Sequence, residues 1–96
     1  MAQEEEKRLS EPEVQYPEQT NAYYANRAQF FVSNSDIMID FIMVEPTPQG
    51  KKPKLVFQTR IIMSPQHAKQ FSIVLNQNIG KYEETFGSIN VAPIKK

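Results

Sequence analysis

The chain has 96 residues, enough for one small domain, and its 11 Lys and Arg balance 11 Asp and Glu to give a formal net charge of zero. This balance argues against a nucleic-acid binder driven by bulk charge. Cysteine is absent, which excludes disulfides, thiolate metal sites and a cysteine nucleophile. No apolar run approaches the roughly 18 residues of a membrane span, and the N-terminus lacks the apolar core of a secretory signal. We therefore expect a cytoplasmic protein with no membrane contact and no cofactor.

Residues 1–20 differ from the rest of the chain in charge. They hold six acids and two bases, a net charge of −4, whereas residues 21–96 hold five acids and nine bases, a net charge of +4. A segment with high charge and little to bury cannot offset the entropy lost on ordering. The pattern predicts a disordered acidic tail over 1–20, a single α+β domain over 21–89 and a C-terminal tail over 90–96. The acidic tail either solubilises the domain or folds back onto its basic part.

Three segments alternate from one face to the other and are rich in β-branched and aromatic residues, which predicts strands over 27–33, 36–44 and 54–63. Asn34 and Ser35 suit a two-residue turn between the first two strands. This turn pairs Val32 with Ile37, Phe30 with Ile39 and Ala28 with Phe41. All of these side chains belong to one face, so the predicted register is self-consistent.

The second connection, residues 45–54, contains three prolines, which forbid strand pairing there. A hairpin that is symmetric about Gly50 places Asp40 opposite Arg60. The same register pairs Ile39 with Ile61, Phe41 with Thr59 and Met43 with Phe57. Because a carboxylate on a half-buried face needs a partner, we interpret Asp40 and Arg60 as a cross-strand ion pair. A catalytic Asp40 is the alternative.

A long helix is predicted over residues 65–85. Ser64 can cap its first turn, Pro65 suits the first helical position, and Gly87 suits the left-handed residue that follows a helix. Helical spacing places six apolar residues on one stripe: Ala68, Phe71, Leu75, Ile79, Tyr82 and Phe86. We expect an α+β domain of order β-β-β-α, in which a three-stranded antiparallel meander is followed by one long C-terminal helix packed on one sheet face. The helix is longer than the strands, so part of it should meet something else.

The other face of the sheet carries too many large apolar side chains for a surface that water covers. They are Phe31, Met38, Ile42, Val44, Val56 and Ile62. Apolar patches of more than a few hundred Å² usually mark an interface, and a domain of this size is near the limit of what one core can stabilise. We therefore predict a homodimer or higher oligomer through this face. Coverage by residues 20–26 or by the C-terminal tail is the alternative.

No enzyme class is indicated by the residues that carry chemistry. Ser64 and His67 are three residues apart, but a nucleophile pair also needs an orienting acid and an oxyanion hole, and Ser64 is explained as a helix cap. The three glycines do not form a phosphate-binding loop. We expect a non-enzymatic, homo-oligomeric interaction or adaptor protein with an unidentified protein partner.

Two other functions stay open. The tip of the second hairpin is basic and proline-containing, and Lys51, Lys52 and Lys54 suggest a nucleic-acid-binding regulator whose arm enters a DNA groove. The ordinary interpretation is a solvated turn whose lysines deter aggregation at the sheet edge. A chaperone-like binder of unfolded chains is the third possibility, because small oligomers that combine a sheet and a long helix can offer apolar grooves.

Four short segments carry a family resemblance. They are Tyr24-Ala25-Asn26, Ser33 to Phe41, the SPQHAK segment from Met63 to Lys69, and the YEETFG segment from Tyr82 to Ile89. Over about residues 23–89 the sequence resembles a family of small bacterial and phage-borne proteins catalogued as domain of unknown function three-four-six-seven. That family has no assigned activity. The resemblance therefore implies a self-contained domain and transfers no functional residue.

Overall fold

The computed structural model describes residues 12–93, in which a three-stranded antiparallel sheet precedes a single helix. Strand β1 spans Arg27–Val32, β2 spans Ile37–Glu45, β3 spans Lys54–Met63, and helix α1 spans Pro65–Phe86. The strands lie in the order β1-β2-β3, so each pairs with its neighbour in sequence. The predicted α+β class and the order β-β-β-α are confirmed.

The first hairpin has the predicted register. It pairs Val32 with Ile37, Phe30 with Ile39 and Ala28 with Phe41. At the turn, the Ser33 backbone N–H donates to the Asp36 carbonyl oxygen at 2.9 Å, and the Asp36 N–H donates to the Ser33 hydroxyl oxygen at 3.0 Å. The Ser33 side chain therefore closes the two-residue turn of Asn34 and Ser35 by satisfying a backbone donor inside it.

The second hairpin has the predicted register only as far as Phe41 and Thr59. Beyond that pair the ladder shifts by one residue, so that Ile42 pairs with Phe57 and Gln58 has no partner of its own. The predicted pairing of Met43 with Phe57 is therefore wrong, because Met43 pairs with Val56. One extra residue in a strand is a β-bulge, and it reverses which face each later side chain occupies.

The loop between β2 and β3 explains why the second hairpin lacks the symmetry about Gly50 that the sequence predicted. The Thr47 hydroxyl lies 3.1 Å from the Lys51 carbonyl oxygen and 3.0 Å from that of Lys52, and it donates to them. These bonds close the loop so that Glu45 pairs with Lys54. The extra residue is then absorbed inside β3 rather than in the loop.

Helix α1 begins and ends as its sequence signals indicate. The Ser64 hydroxyl oxygen accepts the His67 backbone N–H at 3.1 Å, with Pro65 next in the chain. Gly87 has φ of 104°, a conformation that glycine adopts without steric cost, and its N–H donates to the Glu83 carbonyl oxygen at 2.9 Å. The helix is one residue longer than predicted and has a length of about 33 Å.

The packing of the helix differs from the expectation. No helix residue is buried, and between the first half of α1 and the sheet lies an open cleft of about 820 Å³. Only Ser64 separates β3 from α1, whereas strand-to-helix loops usually have two to six residues. The connection is therefore unusually short, and the helix faces the sheet across the open cleft.

The core is correspondingly small and lies on the central strand. Among residues 12–93, the buried apolar side chains are those of Ile39 and Ile42, and Asp40 between them is the buried charged group. The Cα radius of gyration is 18.6 Å, whereas a compact chain of this length has about 12 Å. The described part of the chain is therefore extended, and most of its large apolar side chains are exposed.

The two predicted tails lie at the margins of the described structure. Residues 1–11 of the predicted acidic tail and residues 94–96 of the predicted C-terminal tail are outside the described residues. Residues 12–26 and 87–93 contain no helix or strand. In the segment 20–26, which the alternative placed over the sheet face, Tyr23 and Tyr24 are exposed.

Candidate interaction surface

The sheet face that points away from the helix is called the second face. One end of it forms an apolar patch, which consists of Phe31, Met38 and Ile62. These residues are neighbours across the three strands, since Met38 pairs with Phe31 on one side and with Ile62 on the other. They line one hollow of about 210 Å³ next to the first turn. Ile62 is 61% exposed. The structure thus brings together three of the six residues that the sequence assigned to an interface.

The other three predicted interface residues do not form a second patch. Ile42 is only 7% exposed, so it is already covered within one chain. The bulge sets Val56 opposite Met43, on the face of the sheet that looks toward the helix, which corrects its predicted position. Phe57 and Leu55 take its place on the second face, opposite Ile42 and Val44.

The centre of the second face is the predicted ion pair. Arg60 Nε donates to Asp40 Oδ1 at 2.6 Å, and Arg60 Nη2 donates to Asp40 Oδ2 at 2.9 Å. These hydrogen bonds hold the pKa of the Asp40 carboxyl below its usual value of 3.8; burial opposes the lowering, and the positive charge of Arg60 adds to it. The guanidinium also lies 5.9 Å from the centre of the Phe57 ring. Both carboxylate oxygens are engaged, which is the arrangement of a structural ion pair.

A large apolar surface lies between the sheet and the helix, where the sequence predicted a helix packed on the sheet face. The cleft between sheet and helix is lined by Phe30, Ile39 and Phe41 from the strands and by Ala68, Phe71 and Leu75 from α1. Packed interiors contain few voids larger than a water molecule, so a cleft of about 820 Å³ is an open surface. The one-residue link at Ser64 was the signal in the sequence that could have revealed it.

The apolar stripe of α1 continues past the cleft. Ile79, Tyr82 and Phe86 belong to the same stripe but do not line the cleft. The rings of Tyr82 and Phe86 are 4.9 Å apart, and Phe86 is 72% exposed. The helix therefore presents an apolar surface along its whole length, half of it above the sheet and half beyond the cleft.

The lysines of the hairpin tip are exposed but stand on an ordered turn. Lys51 N–H donates to the Pro48 carbonyl oxygen at 3.1 Å, and Gly50 has φ of 90°. With the bonds of Thr47 to Lys51 and Lys52, this makes the tip a folded loop that displays Lys51, Lys52 and Lys54 at one end of the sheet. The arrangement could contact an anionic surface through charge alone.

Asn26 has a structural role that sequence reasoning missed. Its backbone N–H donates to the Ile42 carbonyl oxygen at 3.1 Å, and its side-chain oxygen accepts the Val44 N–H at 2.7 Å. The side chain thus satisfies a donor on β2 where β1 has not yet begun. The Tyr24-Ala25-Asn26 segment marked this residue, but the family resemblance gave it no role.

Among residues 12–93, no group of three or more His, Asp or Glu side chains lies close enough to hold a metal ion. Across the same residues, no helix has the length and apolar character needed to cross a bilayer. The Ser64 hydroxyl oxygen accepts the His67 backbone N–H, so these two residues meet as a helix cap.

The described residues thus form a small α+β domain with an open apolar cleft and a long helix that carries an apolar stripe. Residues 1–91 match the family described as "Protein of unknown function (DUF3467)". The match covers nearly all of the chain, and the chain belongs to this family, which is the one that the four sequence segments resembled. No match is found among curated proteins or among solved structures.

Proposed function

We propose that the protein is a non-enzymatic, homo-oligomeric interaction or adaptor protein, whose apolar surfaces are covered by further copies of the chain and by a protein partner. The observation that carries this proposal is the exposure of large apolar side chains on three of the four elements of residues 27–86, namely β1, β3 and α1. Examples are Phe30 on β1, Phe57 on β3 and Phe71 on α1. Exposed apolar patches of this extent mark interfaces, because burying them is favourable by about 25 cal/mol per Å².

Light scattering over a range of protein concentrations tests the self-association. We expect a mass that is a multiple of 11.1 kDa and that falls on dilution. A single chain at high micromolar concentration would contradict the proposal. The adaptor part is tested by a pull-down with mass spectrometry from the native host, in which the Ile62→Glu variant serves as the matched bait.

A chaperone-like binder of unfolded chains is a second candidate, and the open cleft favours it. An apolar groove between a sheet and a helix can accept an extended apolar segment from another chain. The test is protection of an aggregating client protein by the wild type and by Leu75→Glu. Protection that the variant loses would favour this candidate over the adaptor, whereas no protection by the wild type would argue against it.

A nucleic-acid-binding regulator is the third candidate, which rests on the exposed tip lysines. Such binding should weaken steeply with salt and on Lys→Glu changes at Lys51, Lys52 and Lys54, because each phosphate contact releases counterions. A gel shift with DNA and with RNA at several salt concentrations measures this. Absence of a shift at low salt would leave the adaptor and the chaperone-like binder.

A further inference from the structure

We propose that helix α1 pairs with α1 of a second copy, antiparallel about a two-fold axis at Leu75, and that the C-terminal half of each helix seats in the cleft of the other copy. This inference rests on the proposed self-association and names the surface responsible for it. The main interface would then be the helix and the cleft, with the patch of Phe31, Met38 and Ile62 left free for a different contact.

The spacing of the apolar stripe supports antiparallel pairing, because the spacing is the same toward both ends of the helix when it is counted from Leu75. Phe71 and Ile79 lie four residues to either side of Leu75, and Ala68 and Tyr82 lie seven residues to either side. In an antiparallel pair centred on Leu75, the small Ala68 faces the large Tyr82, and Phe71 faces Ile79. Alternation of small and large side chains lets two helices approach closely along their whole contact.

Charge complementarity supports the same orientation. Lys69 lies at the edge of the cleft, and Glu83 is half-buried near the other end of the helix. The Glu83 carboxylate is held in place because its Oε2 accepts the Ile89 backbone N–H at 2.9 Å. An antiparallel pair centred on Leu75 brings Lys69 of one copy near Glu83 of the other on the same flank. A parallel pair would instead separate Lys69 of one copy from Glu83 of the other by 14 residues, about 21 Å along the helix axis.

The area available matches that of a stable dimer. Several side chains on the helix stripe and on the sheet side of the cleft are between 38% and 75% exposed. They are Phe30 and Val32 on β1 and Phe71, Leu75, Ile79, Tyr82 and Phe86 on α1. With about 150–250 Å² for each aromatic side chain, covering them buries roughly 700 Å² on each copy. Standard interfaces bury about 800 Å² per partner. Reciprocal seating covers both halves of the stripe, whereas closing the cleft within one chain would leave Ile79, Tyr82 and Phe86 exposed.

Disulfide cross-linking tests the pairing directly, because the natural chain has no cysteine. Leu75→Cys lies on the proposed two-fold axis and should form a covalent dimer under mild oxidation. Ile73→Cys is the matched control, since Ile73 is on the opposite side of the same helix and should stay unlinked. Ala68→Cys should stay unlinked by itself and should cross-link when mixed with Tyr82→Cys, a result that only antiparallel helices give.

A charge reversal gives an independent readout that does not involve oxidation. Lys69→Glu should weaken dimerisation by roughly tenfold, because two symmetry-related attractive pairs become repulsive. The double variant Lys69→Glu with Glu83→Lys should restore the wild-type dissociation constant. Lys69 is exposed and Glu83 is half-buried in the single chain, so circular dichroism checks that each variant keeps its helix.

The outcomes separate this inference from the proposed function. Cross-linking of Leu75→Cys and of the Ala68→Cys and Tyr82→Cys mixture, together with charge-swap rescue, supports the paired helices. A wild-type oligomer in which these pairs do not cross-link overturns the helix pairing and leaves the homo-oligomeric function intact. Cross-linking of Ala68→Cys alone would show parallel helices and also overturn the inference. A wild type that stays monomeric defeats both.

Discussion

Asp40 on β2 and Arg60 on β3 face each other two positions before the strand register shifts. Their side chains are joined by two hydrogen bonds, of 2.6 and 2.9 Å. The next pair toward the loop, Phe41 and Thr59, is the last before the bulge at Gln58. The ion pair therefore fixes the alignment of β2 and β3 at the point where the ladder is about to slip by one residue.

Replacing Asp40 by Asn should destabilise the protein at neutral pH, because Arg60 loses its charged acceptor. The pKa of Asp40 is lowered in the folded chain, so its contribution to stability is present above the usual value of 3.8 and is lost as the pH falls through the lower folded pKa. Urea unfolding of wild type and Asp40→Asn at pH 7 and below pH 3 measures the difference in free energy of unfolding. That difference should shrink in acid.

The control for this pH effect is Glu84→Gln, at an exposed position near the end of α1. It should change stability little at either pH. If the Asp40→Asn difference persisted unchanged in acid, the ion pair would not be its cause.

Replacing Asn26 by Ala should reduce the free energy of unfolding by about 1 kcal/mol, the usual contribution of one hydrogen bond. The reason is that the Val44 N–H loses the acceptor that lies 2.7 Å away. Chemical denaturation gives the magnitude, and hydrogen exchange should show faster exchange at the Val44 amide. Gln70→Ala on the exposed helix surface is the control, and equal effects of the two changes would contradict the assigned role.

Replacing Ser64 by Ala should cost about 1 kcal/mol, because the first turn of α1 loses its cap. The His67 N–H is the donor that this change leaves without its 3.1 Å acceptor. Loss of helical circular dichroism on heating is the measurement. Ser72→Ala removes a hydroxyl that bonds to the Lys69 carbonyl oxygen at 2.7 Å within the helix, and it should leave the thermal midpoint nearly unchanged.

Replacing Phe31 or Ile62 by Glu tests the patch on the second sheet face. If the patch takes part in association, either change should weaken it by at least about tenfold, because a charge replaces an apolar contact. Sedimentation equilibrium measures the dissociation constant. Gln70→Glu is the control for added charge. An unchanged constant in both sheet variants would confine association to the helix and the cleft.

The parts of the fold that depend on neighbouring residues could be predicted from the sequence. The first hairpin followed from its two-residue turn and the alternation of Phe30 and Ile39, and the helix limits followed from Ser64 and Gly87. The bulge at Gln58 could not be predicted, because it depends on how Thr47 closes the loop in three dimensions. A wrong register assigned Val56 to the wrong face.

The cleft was missed for a different reason, although the one-residue link at Ser64 was a signal for it. Periodicity shows which side of α1 is apolar, but it does not show whether that side meets its own sheet. Whether the apolar side of α1 meets its own sheet depends on the direction in which the chain leaves β3. That direction is set by the extended backbone of Ser64, with φ of −66° and ψ of 152°. The interface was therefore predicted on the second face of the sheet, whereas the larger apolar surface lies on the face toward the helix.

The strand order has a kinetic consequence. Because every strand pairs with its neighbour in sequence, the contacts of the sheet are local, and local topologies fold quickly. The sheet can thus form during or soon after synthesis, whereas covering the cleft by a second copy requires an encounter between chains. Refolding of the proposed oligomer should divide into a fast first-order step and a slower second-order step whose rate rises with protein concentration. In a cell, the level of expression would set how long each new chain keeps its apolar cleft open.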